Sequence, residues 1–323
     1  MRPIRRVLVV GAGTMGHGFA QILAMNGVDV FIVDQTETLL DRCRGWIKEN
    51  LDYMCELGEA NHEQVESTLN RLTCSTDMEA CARKADYVLE AVFEDLDLKL
   101  KVFEKLGSYT ERDVVLASNT SSYDINRLAA VTRYPERVIG THWFHPPQIT
   151  PCVEIIPADT THEETVKAAV AFMERIGKVP TTCKSAPGFV GNRLQFALFS
   201  EALAMVDEGL ATPQEIDRIV KTSFGFRLGA YGPFEICDQA GLDTYWAVFQ
   251  YLYGELKTDH FRPPAILGKF MEQGHYGLKT GKGFYDYGEG AVETMKRQRD
   301  KRLYARLRLV RQETEPERNP EKT

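Results

Sequence analysis

In the stretch THWFHPPQITPCVEII, His142 and His145 stand three residues apart, and Cys152 and Glu154 follow them. Three readings suit these residue types. Imidazole and thiolate are zinc ligands. A histidine beside a carboxylate is a proton-transfer pair, because the carboxylate orients the ring and stabilises the imidazolium that forms. The third reading is an ordinary strand end that carries histidines. Zinc pairs favour helical i, i+4 spacing, or close loop spacing with further Cys or His ligands. Pro146 and Pro147 extend the backbone and oppose a helix. The spacing therefore disfavours zinc, and no metal is expected.

A second cluster is VLVVGAGTMGHGFAQIL, in which Gly11, Gly13 and Gly16 have G-x-G-x-x-G spacing, with Thr14 and Met15 between the last two. The first glycine permits a tight turn, the second lets a pyrophosphate approach the backbone, and the third lets helix and strand pack closely. The motif follows an apolar run and opens a helical pattern, and Asp34 closes the next apolar run, VFIVD, about twenty residues on. Asp34 can accept hydrogen bonds from an adenosine ribose and would repel a 2′-phosphate. Neither Gln35 nor Thr36 supplies a cation, so NAD is favoured over NADP. A flavin, or a glycine turn without a ligand, is the rival reading.

Such groups need a frame. RRVLVV, VFIVD, ADYVLEAV, DVVLAS, RVIGTHWF and CVEII read as strands separated by helical patterns, which predicts a doubly wound, mostly parallel α/β sheet with right-handed crossovers. Between Asp34 and Ala85 the chain is longer than one crossover needs, and LLDRCRGWIKENLDYMCEL with NHEQVESTLNRL predicts a projecting helical pair. After KSAPGF the strand signal fades. Asn192 to Glu208 reads as a helix, and TPQEIDRIV opens another with Thr212 as cap, Pro213 in the first turn and Glu215 completing a capping box. The expected organisation is a Rossmann-type domain over 1–186 and an α-helical substrate and dimerisation domain over 187–312. The charged stretch 313–323 is expected to be disordered. The basic run MKRQRDKRLYARLRLVR carries an apolar stripe, Leu303, Leu307 and Val310, which suits a solvated helix docked on the body better than a nucleic-acid or membrane patch.

Bulk composition narrows the function classes. A formal charge of -7 opposes general nucleic-acid binding. No apolar run approaches the roughly 18 residues of a membrane span. The first apolar run flows straight into the glycine turn and leaves no room for a signal peptide. Seven cysteines without a C-x-x-C suit a reducing cytoplasm, where they serve as small hydrophobes.

GAGTMGHGFA, ASNTSS, GTHWFHPP with CVEII, PGFVGNRL, GPFEICDQAGLD and GLKTGKGFYDY together resemble the 3-hydroxyacyl-CoA dehydrogenase family, in family order and from Val7 to about Tyr287. The resemblance implies an NAD-dependent oxidation of a secondary hydroxyl, in a homodimer, with substrate between the two domains and a place in fatty acid metabolism. It assigns His142 as the base, Glu154 as its orienter, and Ser121 and Asn192 as contacts to the substrate oxygen. Glu94, Lys99 and Lys279 fall where the family meets the nicotinamide half, with Ser121 beside them. Three departures stand out. His145 replaces the asparagine usual in the family. Asp52, Glu56, Leu57 and Glu59 occupy the region where fatty-acyl members carry basic residues for CoA phosphates. GFRLGAYGPFE is one residue longer than the fatty-acyl form and brings Arg227. That longer form resembles branches acting on gulonate, carnitine or a pyridine compound, and Arg227 would suit a free carboxylate. A surface salt bridge is the alternative role for Arg227. Acyl-CoA, a small hydroxy acid, and a non-catalytic NAD-binding structural protein all remain open here.

Overall fold

The computed structural model describes residues 2–288 and 290–314. From the N-terminus it runs β1 (Arg6–Val10), α1 (Gly16–Met25), β2 (Asp29–Val33), α2 (Glu37–Glu56), α3 (His62–Asn70), β3 (Leu72–Ser75), α4 (Met78–Ala82) and β4 (Tyr87–Glu90). Next come α5 (Leu96–Tyr109), β5 (Val115–Ser118), α6 (Ile125–Ala130), β6 (Val138–Trp143), β7 (Cys152–Pro157), α7 (Glu163–Arg175) and β8 (Val179–Thr182). The helices α8 (Gly191–Asp207), α9 (Pro213–Thr222), α10 (Phe224–Leu228), α11 (Pro233–Ala240), α12 (Leu242–Leu256), α13 (Ala265–Glu272) and α14 (Ala291–Thr314) follow.

The eight strands form one sheet in the order β3-β2-β1-β4-β5-β6-β7-β8. Every pairing is parallel except β6 with β7. Alternation along a strand sends neighbouring side chains to opposite faces. In β1, Val7 and Val9 enter the core shared with Phe19 and Leu23 of α1, Leu40 and Ile47 of α2, and Phe172 of α7. Leu8 and Val10 face the other way, into the core with Phe103 and Leu106 of α5 and Leu128 of α6. A strand covered on both faces must be apolar throughout, which is why VLVV carries no polar interruption. Truncating Leu8 to Ala would cost about 2–5 kcal/mol.

The two strands invisible in the sequence, β3 and β8, are the two edges of the sheet. LTCS buries only Leu72 fully, and VPTT is largely exposed and holds Pro180. An edge strand has one ladder side open and tolerates proline, so its apolar pattern is weak. Between Asp34 and Ala85, Thr36 caps α2, and Asn61 and Gln64 form a capping box on α3. Leu40, Cys43, Ile47 and Leu51 make the stripe that seats α2 on the core.

The chain divides into two compact units, one up to Ser200 and one from Glu201, so the division falls inside α8. The capping box of Thr212 and Glu215 on α9 is present. In the second unit Asp238 is fully buried and accepts hydrogen bonds from Phe284 N (3.1 Å), Tyr285 N (3.0 Å) and Tyr287 Oη (2.8 Å). That carboxylate joins GPFEICDQAGLD to GLKTGKGFYDY. The basic run forms α14, where Arg306 donates to the carbonyls of Phe226 (2.9 Å) and Gly229 (3.2 Å) at the C-terminal end of α10. Cations suit a helix C-terminus, and these bonds dock the helix. Glu313 and Thr314, expected in the disordered tail, are the last residues of α14. The rest of that stretch lies outside the described residues.

Candidate active site

The order of the strands reverses between β1 and β4, and ligands of such sheets bind beyond the carboxyl ends at that point. The loops that converge there are the glycine turn after β1, Ala91–Asp95 after β4 and Asn119–Asp124 after β5.

The three glycines have separate physical reasons. Gly11 has φ +108°, and a Cβ there would lie 2.5 Å from the Ala91 carbonyl oxygen. A Cβ on Gly16 would overlap the Gly11 carbonyl oxygen, so the third glycine lets α1 return onto the turn. A Cβ on Gly13 would meet nothing within 4 Å. The protein itself does not require that glycine, and the open space suits close approach of a pyrophosphate to the backbone. Met15 precedes α1 without a side-chain cap, Thr14 is exposed in the turn, and the first turn of α1 holds no acidic residue. No side chain caps its first amides, which suits an anion there. Asp34 binds the Ala12 amide through Oδ2 and the Gln35 amide through Oδ1, each at 2.7 Å, which fixes the turn and holds the carboxylate beside it. These residues fit NAD, whose nicotinamide carries hydride when bound.

On the other side of the switch point, His142 and Glu154 are directly opposed in the antiparallel pair β6–β7. Their separation of twelve residues is thus a cross-strand register, which puts both side chains on one face. His142 Nδ1 lies 2.7 Å from Glu154 Oε2, and the two residues are 3% and 4% exposed. The other oxygen of Glu154 accepts from Val190 N (3.0 Å) and Gly191 N (2.8 Å), where α8 begins. Burial works to raise the Glu154 pKa, but the His142 ring and these amides more than offset it and the carboxyl stays below its ordinary range. An ionised Glu154 accepts Nδ1–H, which leaves Nε2 with the lone pair. Nε2 has no hydrogen-bond partner among the described residues. Phe144 and Phe189 flank the ring, with centroids at 4.8 Å and 5.6 Å.

Ser121 is half-buried. Its amide donates to Glu94 Oε1 (2.9 Å), its carbonyl accepts from Asn192 Nδ2 (3.3 Å), and its hydroxyl is unengaged among the described residues. Glu94 also accepts from Thr120 Oγ1 (2.6 Å) and Ser122 Oγ (2.9 Å). Lys99 is 1% exposed and sits 2.7 Å from Glu90 and 3.2 Å from Glu94. It is neither a solvated surface charge nor an accessible ligand contact. Hydrogen bonds and an ion pair therefore join Asn192, Ser121, Glu94 and Lys99 in one network of the first unit, and His142 and Glu154 form a second, whose backbone donor Gly191 is the chain neighbour of Asn192.

His145 is exposed, and the His145–Pro146 peptide is cis. Burial pushes the Cys152 thiol up, which opposes thiolate ligation. No group of three or more His, Cys, Asp or Glu side chains converges on a metal position among the described residues. Lys279 and Arg227 belong to the second unit. Lys279 pairs with Asp243 at 2.6 Å. Arg227 is exposed and lines a cavity of about 310 Å³ with Tyr231, Ile236, Gln239, Arg299 and Leu303. Sequence reasoning passed over Glu90 and Ser118, which are fully buried. The available signal was a glutamate closing the otherwise apolar strand YVLE.

Two family models match in succession, the NAD-binding domain of 3-hydroxyacyl-CoA dehydrogenase over residues 6–186 and its C-terminal domain over 188–287. A probable 3-hydroxybutyryl-CoA dehydrogenase of Deinococcus radiodurans is 37% identical over 279 residues, covering 86% of this chain and 99% of that protein. A 3-hydroxyacyl-CoA dehydrogenase structure from Archaeoglobus fulgidus has a TM-score of 0.79 at 32% identity, covering 95% of this chain and 99% of that one. The structure of a 5-formyl-3-hydroxy-2-methylpyridine 4-carboxylic acid 5-dehydrogenase has a TM-score of 0.73 at 30% identity, covering 96% and 99%. The chain belongs to the 3-hydroxyacyl-CoA dehydrogenase family, with NAD as its cofactor and a CH–OH group as its point of action.

Proposed function

We propose that the protein interconverts a 3-hydroxyacyl thioester and its 3-oxo form, with His142 and Glu154 as the proton-transferring pair. The observation that carries this reading is the buried 2.7 Å contact between His142 Nδ1 and Glu154, which leaves Nε2 free to take the hydroxyl proton. In the oxidative direction Nε2 takes that proton, and bound NAD would be the acceptor for the hydride lost from the same carbon. Ser121 Oγ and Asn192 Nδ2 donate to the oxygen as negative charge develops on it, and Glu154 stabilises the imidazolium. An NAD-binding protein without catalysis would have no use for a buried imidazole held in one tautomer.

The acyl group admits a second reading, a small polar hydroxy acid without CoA. Between Glu37 and Asn70 acidic residues outnumber basic ones eight to three. Of those three cations, Lys48 is paired with Asp52 at 2.5 Å and Arg42 stacks over Trp46 at 4.8 Å. That surface is a poor partner for the phosphates of CoA. His145, Arg227 and the likeness to a pyridine-carboxylate dehydrogenase favour the same alternative. NADH oxidation with acetoacetyl-CoA beside a panel of small keto acids decides between them. Strong turnover of the thioester sinks the small-acid reading, and turnover confined to keto acids sinks the thioester.

We further propose a homodimer in a reducing, cytoplasmic setting, without nucleic-acid or membrane partners. No residue of α8 is buried, and Leu194, Phe196, Phe199 and Leu203 are exposed on it, which suits cover by a second copy. All seven cysteines are free. Sedimentation equilibrium at the mass of one chain would overturn the dimer.

A further inference from the structure

Glu90 closes β4 with no exposed surface, and its carboxylate is saturated from three directions. Oε1 accepts from Lys99 Nζ (2.7 Å) and the Val92 amide (2.8 Å), and Oε2 accepts from Ser118 Oγ (2.6 Å). Lys99 spends its remaining donors on the Val92 carbonyl (3.2 Å) and on Glu94 (3.2 Å). Ser118 Oγ in turn accepts the Thr120 amide at 3.1 Å. Two routes thus lead from one buried carboxylate to the loop that carries Ser121. The first runs through Lys99 and Glu94 to Thr120 Oγ1, Ser121 N and Ser122 Oγ. The second runs through Ser118 to Thr120 N. The flanking residue Asn119 gives its amide to the Glu90 carbonyl (2.9 Å) and accepts the Trp143 amide (2.9 Å), next to His142.

We infer that Glu90 and Ser118 are positioning residues that fix the Ser121 hydroxyl at the reacting oxygen, through the buried Glu90–Lys99 pair and the more exposed Glu94 that Lys99 holds. The inference rests on the dehydrogenase reading above. Burying the Glu90 carboxylate with the Lys99 ammonium gains little stability over well-packed apolar side chains of the same volume. What such a cluster supplies is fixed geometry, since each of its donors and acceptors has a single satisfied arrangement. Ser121 needs that help. It lies in a half-exposed loop, and its amide and carbonyl are held while its hydroxyl is left for a ligand. A donor displaced by about 1 Å can lose on the order of 10²-fold in rate.

The test is a double-mutant cycle in the full-length protein, using NADH and whichever member of the thioester and keto-acid panel the wild type reduces. Glu90→Gln and Ser118→Ala are each expected to lower kcat about tenfold to hundredfold, while KM for NADH moves less than about threefold. In a Ser121→Ala background the same substitutions are expected to cost less than about twofold, because the group they position is gone. Losses that multiply in full, or a wild-type kcat in both single variants, overturn the inference. Ser118→Ala removes one hydroxyl and carries the cycle alone if Glu90→Gln does not fold. Amide hydrogen exchange at Thr120–Ser122 gives a readout independent of turnover and is expected to quicken at least about tenfold in either variant. Unchanged exchange overturns the positioning role. A wild type that reduces nothing in the panel counts against the dehydrogenase reading alone.

Discussion

The two sides of the sheet's switch point are built on opposite principles. The nucleotide side, after β1, works by what is missing: a glycine with empty space above it, an uncapped helix and a first turn without acids. The reaction side, from β4 to β7, works by saturation, with Glu90, Glu94, Lys99 and Glu154 each holding several hydrogen bonds. A cofactor site must admit a large preformed ligand, so the protein leaves room and aims backbone dipoles at it. A proton-transfer site must hold a few atoms to fractions of an ångström, so its groups are locked by their neighbours.

That contrast also decides what could be read in the sequence. The cradle is local: Gly11, Gly13 and Gly16 fall within one turn, and Asp34 within one crossover, so spacing alone carries the signal. The reaction side is assembled across the sheet. Nothing in the twelve-residue gap between His142 and Glu154 states that β6 and β7 are antiparallel, and that register is what pairs them. A resemblance to a known family supplied that step. Glu90 and Ser118 stayed hidden because they sit 28 residues apart and meet only where β4 lies beside β5. Edge strands β3 and β8 escaped for a different reason, since a half-covered strand needs little apolar pattern. Lys99 was expected at the nicotinamide, and its burial against Glu90 stayed hidden because a buried lysine has no sequence signature apart from its partners.

The largest expected effect breaks the reaction side alone. His142→Asn removes the proposed proton acceptor and leaves the cradle untouched, so kcat should fall about 10²–10⁴-fold while NAD affinity holds within about twofold. Stopped-flow NADH oxidation and fluorescence titration of NADH measure the two halves. Full activity on every substrate would show the proton-transfer assignment to be wrong.

The next pair of variants cuts across the nucleotide side. Gly16→Ala places a methyl against the Gly11 carbonyl oxygen and should destabilise the fold by about 1–3 kcal/mol. Gly13→Ala adds a methyl into open space, so the melting temperature should stay put. NAD affinity should nevertheless fall by about tenfold or more, since a misfit of about 1.4 kcal/mol is enough for that. If the two variants lose stability equally, the second glycine is structural and the cradle is misread. Asp34→Ser belongs to the same side and should be milder. It relieves the repulsion of a 2′-phosphate, and the preference for NAD over NADP measured by kcat/KM should narrow by about tenfold. An unchanged preference would place the discrimination elsewhere.

The smallest effect is a pH dependence of stability that belongs to the saturated side. Burial works to raise the Glu94 pKa, but Thr120, Lys99, the Ser121 amide and Ser122 outweigh it and hold the carboxyl below its ordinary value of 4.5. A folded pKa depressed below the unfolded one contributes stability that is complete above the unfolded value and disappears as the pH falls through the folded one. Glu94→Gln should therefore be less stable than the wild type at pH 6, with the two urea midpoints converging as the pH drops from about 5 toward 3. Glu94 is partly exposed, so solvent screens the interaction and the gap should be modest. Parallel curves for Glu94→Gln and wild type would mean that Lys99 answers to Glu90 alone, and the bonded chain toward Ser121 would lose the first of its two routes.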